Sequence, residues 1–419
     1  KIKINEDILM QRFSQFITEE KNTHMTHIED KVLYGGVNGT RSAINALRSL
    51  RDMLQGTHSG KVSVKWDGAP AVFCGIDPTD GVFFVAKKGI FNKNPKVYKT
   101  PAEVDEDTTG DLATKLKLCL QYLPELEIKG VIQGDLLFTT GDLDKLKKGG
   151  QSYITFHPNT IVYAVPAGTP AAKAVQRAKI GICWHTTYEG ETFDTMTASY
   201  GVDMKKLKKS KNVWSQDAIL KDLSKATMTE KETEEVNAYL TNAGRLFNQI
   251  AGSTLRELEA HPNLAQTIET YGNTFVRKGE IIKSTSKHVA GLIANINQKM
   301  DKEKDKRKSE KGKVAVDARR DELLTFFSVK NKRSLIKMFD LQKEIILAKL
   351  KLINILQKLS NIDTFVKTQN GFKVTDHEGY VAIDTLGGGA VKIVDRMEFS
   401  YNNFSPDILK GWDKSGSKK

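Results

Sequence analysis

Between residues 40 and 54 the sequence TRSAINALRSLRDML places Ile44, Leu47, Leu50, Met53 and Leu54 at the three-to-four-residue spacing of one helical face, with Thr40 as the candidate cap. A helix is expected there. From Lys61 to about Val165 the period shortens. The runs VSVKW, APAVFCGI, GVFFVAKKG, GVIQGDLLF and NTIVYAV alternate with turns and predict strands, while DLATKLKLCLQYL predicts a helix among them. AKIGICWHTTYEG adds a strand near Ile180. From Lys205 to Leu359 the pattern is mostly helical, and the longest apolar stripe runs through SLIKMFDLQKEIILAKLKLINILQKLS, residues 334–360. Within that block DKEKDKRKSEKGK, residues 301–313, carries too much charge to pack a core and reads as a solvated helix or linker. Strands return in EGYVAID and GAVKIVDRMEFS, with Gly387, Gly388 and Gly389 as the turn between them.

Two short strands at the end of a chain cannot make a sheet of their own, so they are expected to complete the earlier one. That would bring Glu378 and Lys392 beside Lys65. The chain then reads as α+β, with antiparallel strands and a large helical insertion. Its expected parts are an N-terminal helical segment (1–58), a strand-rich core (59–200), a helical lobe (201–374) and C-terminal strands returning to the core (375–419).

Composition narrows the function classes. The chain has 419 residues, 39% hydrophobic and 27% charged, which is enough to bury a sizeable core. No apolar run is long enough to span a bilayer, and the opening KIKINEDILMQRF is too polar for a secretory signal. Cys74, Cys119 and Cys183 have neither disulfide-framework nor zinc-knuckle spacing, and a reducing compartment fits them. His157 and His185 lack ligand spacing and read as polar packing. A formal charge of +13 favours a polyanionic partner such as nucleic acid.

The pattern Lys-x-Asp-Gly at Lys65, Asp67 and Gly68 interrupts an apolar stretch, and it is followed in order by QGDLLF at Gln133–Phe138, EGYV at Glu378–Val381 and AVKIVDR at Ala390–Arg396. AKKGI at Ala86–Ile90 lies between the first two. This ordered set resembles the covalent nucleotidyltransferase superfamily, the ATP-dependent RNA and DNA ligases and mRNA capping enzymes. The resemblance implies an antiparallel-sheet nucleotidyltransferase (ligase adenylation) fold in which Lys65 attacks the α-phosphorus of ATP to form a lysyl-AMP. It implies Asp135 and Glu378 as ligands of Mg²⁺ or Mn²⁺. Asp67, Gly68, Lys88 (or Lys87), Lys392 and Arg396 would then surround the nucleotide, with Phe156 or Tyr163 stacking on adenine. An amine nucleophile must shed its proton, so a lowered Lys65 pKa is expected.

Three departures accompany the match. Asp135 stands where the family usually has glutamate, Val394 replaces a second lysine two positions after Lys392, and Lys88 replaces an arginine. An inactive ligase-fold protein, virion-associated or binding nucleic acid, is the alternative that these departures leave open. No OB-fold is evident after the terminal motif, which points to an RNA-ligase-like arrangement and to RNA before DNA as partner. At the front, MQRFSQFITEEKN, residues 10–22, resembles the capsid-targeting segments of T4-like myophages, with Ile17, Thr18 and Glu19 as the cleavage site. An amphipathic helix explains the same residues. The phage resemblance implies a place in the host cytoplasm during infection or in the phage head, and capsid or internal head proteins as partners.

Overall fold

The computed structural model describes residues 27–56, 61–220, 223, 226–359, 362–383 and 390–413. The segment 10–22 and the glycines 387–389 lie outside the described residues. A short 3-10 turn (Ile28–Asp30) leads into α1 (Gly36–Leu54). Thr40 lies inside α1, where its hydroxyl donates to the Gly36 carbonyl at 2.8 Å, so it does not cap the helix. Strands β1 (Lys61–Lys65), β2 (Ala71–Ile76), β3 (Phe83–Ala86) and β4 (Val97–Tyr98) follow, then α2 (Pro101–Asp107) and α3 (Gly110–Tyr122). Next come β5 (Val131–Thr139), β6 (Leu143–Lys148), β7 (Gln151–Phe156) and β8 (Ile161–Pro166). After α4 (Pro170–Arg177) the chain forms β9 (Ile180–Glu189), β10 (Thr197–Tyr200) and β11 (Val213–Asp217).

The helical lobe comprises α5 (Glu230–Phe247), α6 (Gly252–Ala260), α7 (Pro262–Arg277), α8 (Thr285–Asp305), α9 (Glu310–Leu324) and α10 (Lys332–Leu356). The chain closes with β12 (Asp363–Thr368), β13 (Gly371–Val374), β14 (Gly379–Ile383), β15 (Ala390–Ile393), α11 (Arg396–Phe404) and β16 (Ile408–Leu409). The span 201–374 is therefore not wholly helical. Its first part supplies β11, which runs parallel to β9, and its last part supplies the hairpin β12–β13, which joins β8. The charge run 301–313 bends at a turn between α8 and α9. Of its cations Lys304 pairs with Asp317 at 2.5 Å, Arg307 with Glu303 at 2.8 Å and Lys313 with Glu310 at 2.7 Å, the short-range pairs usual on a solvated helical face.

The fold is mixed α+β with largely antiparallel sheets. One sheet has the order β10-β9-β5-β2-β3-β4 with β11 beside β9, and a second has the order β13-β12-β8-β7-β6 with β16 beside β12. Apolar side chains of the two sheets meet in a layer that includes Leu137, Phe138, Phe156, Tyr163 and Trp214, while α2 and α3 cover the other face of the first sheet. Strands β14 and β15 do not extend either sheet. They pair with β1 in a third, β1-β14-β15, one face of which (Val62, Tyr380, Ala382, Val391 and Ile393) packs into the core shared by α1, α5 and α10. Alternation along β1 buries Val62 toward the lobe and leaves Ser63 and Lys65 on the opposite face. The three cysteines are free and buried, and burial pushes the Cys119 thiol up to about 12. Among the described residues no helix is long and apolar enough to cross a membrane.

Candidate functional site

Register places the candidate residues. Lys65 ends β1 opposite Gly379, so Glu378, the residue before β14, arrives at the lysine, and its Oε2 accepts from Lys65 Nζ at 2.5 Å. The Glu378 side chain is 8% exposed and that of Lys65 31%, so the pair sits at the inner end of an open site. On the next strand Lys392 pairs with Val381, and its ammonium lies 5.2 Å from the Phe399 ring centroid. Asp135 faces the site from β5, opposite Ala71, with His185 Nε2 at 3.6 Å from Oδ2.

The two lysines are driven in opposite directions. Burial works to lower the Lys65 pKa, but the Glu378 carboxylate, with Asp135 and Asp67 behind it, overcomes that and raises it. The lowered pKa expected of a nucleophile is not found in this ion-paired state. Lys392 is the lysine whose pKa falls, first through burial and then through the positive charge of Lys65, against the pull of Glu378.

Several expected nucleotide contacts are committed elsewhere. The buried Asp67 carboxylate accepts from Asn159 Nδ2 at 2.7 Å and from the Thr160 and Ile161 amides at 2.7 and 2.9 Å. It ties the end of β1 to the β7–β8 turn and has little accepting capacity left for a ligand. Gly68 is demanded by the protein itself, since a Cβ there would come within 2.5 Å of Asp135 Cβ and 2.9 Å of the Leu136 carbonyl. Phe156 is 1% exposed and stacked against Tyr163, with Phe138 on another side, so it cannot reach adenine. Tyr163 is fully buried and its hydroxyl accepts from the Asp67 amide at 2.6 Å.

Arg396 does not continue β15 as a strand residue facing with Lys392. It opens α11 and donates to both Asp30 oxygens at 2.9 and 3.0 Å and to Asn273 Oδ1 at 2.8 Å, which fastens α11 to the N-terminal turn and the lobe. Lys88 is exposed in the 3-10 turn after β3, and among the described residues no hydrogen bond or ion pair joins it to Lys65 or Glu378. Its neighbour Lys87 pairs with Asp107 at 3.1 Å.

The sequence reading missed the other side of the site. A narrow cleft lies behind Glu378, lined by Asp67, Asp376, Asp395 and Glu398 together with Thr160 and Asn402. Burial raises the Asp376 carboxyl to about 6, helped by the adjacent Glu398 charge. Such a lining repels a triphosphate, so the cationic approach to the site is the Lys65–Lys392 edge. Asp376 and His377 directly precede Glu378, which was the available signal. His377 packs 6.0 Å from the Trp66 ring and 6.2 Å from that of Tyr163, and burial lowers its pKa to about 4. Among the described residues no group of three or more His, Cys, Asp or Glu is placed to hold a metal ion.

The chain belongs to DUF6267, a family of unknown function, whose model matches residues 22–407. Neither a curated protein nor a solved structure matches it. The match spans the helical lobe and all the strands but β16.

Proposed function

We propose that this protein is an ATP-dependent nucleotidyltransferase of the polynucleotide-ligase type, on a nucleotidyltransferase fold, acting on RNA ends or nicked nucleic acid. The observation that carries the reading is the 2.5 Å contact between Lys65 and Glu378, residues separated by 313 positions and named by two different motifs of one ordered set. Lys392 and Asp135 flank that contact.

In the ion pair Lys65 is an ammonium and cannot attack. Glu378 accepts the proton along the existing hydrogen bond, and the freed Nζ lone pair forms a bond to the α-phosphorus of ATP as the bond to pyrophosphate breaks. Lys392, one strand away, offsets the charge that develops on the phosphate oxygens. Asp135, joined by Glu378 once it has released that proton to solvent, would suit a Mg²⁺ or Mn²⁺ shared with phosphate oxygens, since magnesium takes one or two carboxylates and otherwise substrate and water, and such an ion would neutralise triphosphate charge there.

The test is incubation with α-labelled ATP and either ion, followed by denaturing electrophoresis. One acid-labile adduct is expected, absent in Lys65→Ala. Failure with ATP, GTP and NAD alike would overturn the reading and assign the chain to the second class, a ligase-fold scaffold without turnover. An adduct that persists in Lys65→Ala would remove Lys65 from the chemistry.

A further inference from the structure

Among the described residues the exposed aromatic side chains all fall between positions 401 and 412: Tyr401 at 45% exposure, Phe404 at 66% and Trp412 at 62%. Tyr401 and Phe404 are three residues apart on α11 and so share one face. Each ring already has a cation against it. Lys373 Nζ stands 5.4 Å from the Tyr401 centroid and the Arg277 guanidinium carbon 5.9 Å from that of Phe404. Both cations are exposed, and Val374 beside Lys373 is 68% exposed.

We propose that this face of α11 seats a single-stranded polynucleotide, with Tyr401 and Phe404 stacking on bases and Lys373 and Arg277 holding the adjoining phosphates. The inference rests on the ligase reading for its choice of a polynucleotide, and it names a surface that would hold that substrate near the site. Rings that alternate with cations match a strand whose flat apolar bases alternate with anions, and a chain of net charge +13 attracts it. A purely apolar partner would leave both cations facing carbon. The location fits as well. The same helix also lines the site, with Phe399 against Lys392 and Glu398 accepting from the Asp376 amide at 3.1 Å. From Phe399 to Phe404 the axis advances by only about 8 Å.

The experiment is fluorescence anisotropy of the full chain with labelled oligouridylate over a range of salt concentrations, with heparin as a polyanion that has no bases. Tyr401→Ala and Phe404→Ala should each weaken oligouridylate binding by about fivefold or more while leaving the salt slope and heparin binding unchanged. Tyr401→Phe should retain binding. Lys373→Gln and Arg277→Gln should each reduce the logarithmic salt slope by about 0.7. Ring variants that bind oligouridylate like the parent, or that lose heparin equally, would overturn the proposal. Labelling of Lys65 by ATP needs no polynucleotide and separates the two ideas. Intact labelling with no effect of the ring substitutions sinks this surface alone, and a clear effect without labelling sinks the ligase chemistry alone.

Discussion

Replacing Glu378 by glutamine keeps the shape of the site and removes the charge that holds the Lys65 proton. The parent contact is a charge-assisted hydrogen bond at 2.5 Å to a carboxylate only 8% exposed. Hydrogen bonds of this kind are worth about 1.5–3 kcal/mol. At a fixed pH below the lysine's own pKa, that is about a 10- to 150-fold rise in the ratio of free amine to ammonium. The direction follows from the site, because burial already favours the neutral amine and Glu378 is the main force opposing it.

Competitive acylation with acetic anhydride, followed by peptide mass analysis, reads free amine directly and needs no catalysis. Lys65 should become more reactive in Glu378→Gln by that factor, while the exposed Lys88 serves as the unchanged reference. Adenylation should fall in the same variant, since the proton acceptor and one carboxylate for the divalent ion are lost together. Equal acylation of Lys65 in parent and variant would refute the claim that Glu378 holds the lysine charged.

Two further outcomes follow from buried charges. Lys349 and Glu29 form an ion pair at 2.8 Å with side chains 1% and 3% exposed, so Lys349→Met should cost about 3–5 kcal/mol in urea unfolding and adding Glu29→Leu should recover most of it; a single-variant loss below about 1 kcal/mol would contradict the pairing. Asp376 binds its proton more tightly in the fold (about 6) than in the unfolded chain (3.8), so its contribution is complete below 3.8 and is lost as pH rises through about 6; Asp376→Asn should raise the melting temperature above that range and not below 3.8, and equal destabilisation at both ends would refute the assignment.

The strands β1, β5 and β14 were legible because each is an apolar run closed by a turn, and the order of Lys65, Asp135 and Glu378 along them was legible with it. β6 was not, since LDKLKK looks like a basic turn until the neighbouring strand β7 covers one edge of it. The hairpin β12–β13 was hidden in a stretch read as helical, although Asn370-Gly371 at its tip is a strong hairpin signal. α11 was taken for strand because its apolar residues follow β15 closely, and Asp395, which caps it through the Met397 and Glu398 amides, was the sign overlooked. The roles of Asp67, Phe156 and Arg396 depend on Asn159, Trp214 and Asp30, partners fixed only by tertiary packing. Local pattern carries no such information. Each of these residues keeps the chemistry that made it a candidate and spends it inside the protein.

Strand β1 has two flanks. One is closed by residues 218–220, through bonds from the Val64 amide to the Ala218 carbonyl and from the Leu220 amide to the Val62 carbonyl, and the other only by β14. During synthesis the ribosome must add some three hundred residues after Lys65 before Glu378 exists, a delay of about 15–60 s at ordinary translation rates. For that interval the nascent chain carries an unpaired strand edge and a lysine without its counter-charge, while the larger sheet and much of the lobe have already emerged. β14 and β15 thus complete a sheet that β1 opens some three hundred residues earlier. A message cut short between the end of α10 and β14 yields a polypeptide with most of its core and no assembled site, exposing the kind of open edge that chaperones recognise.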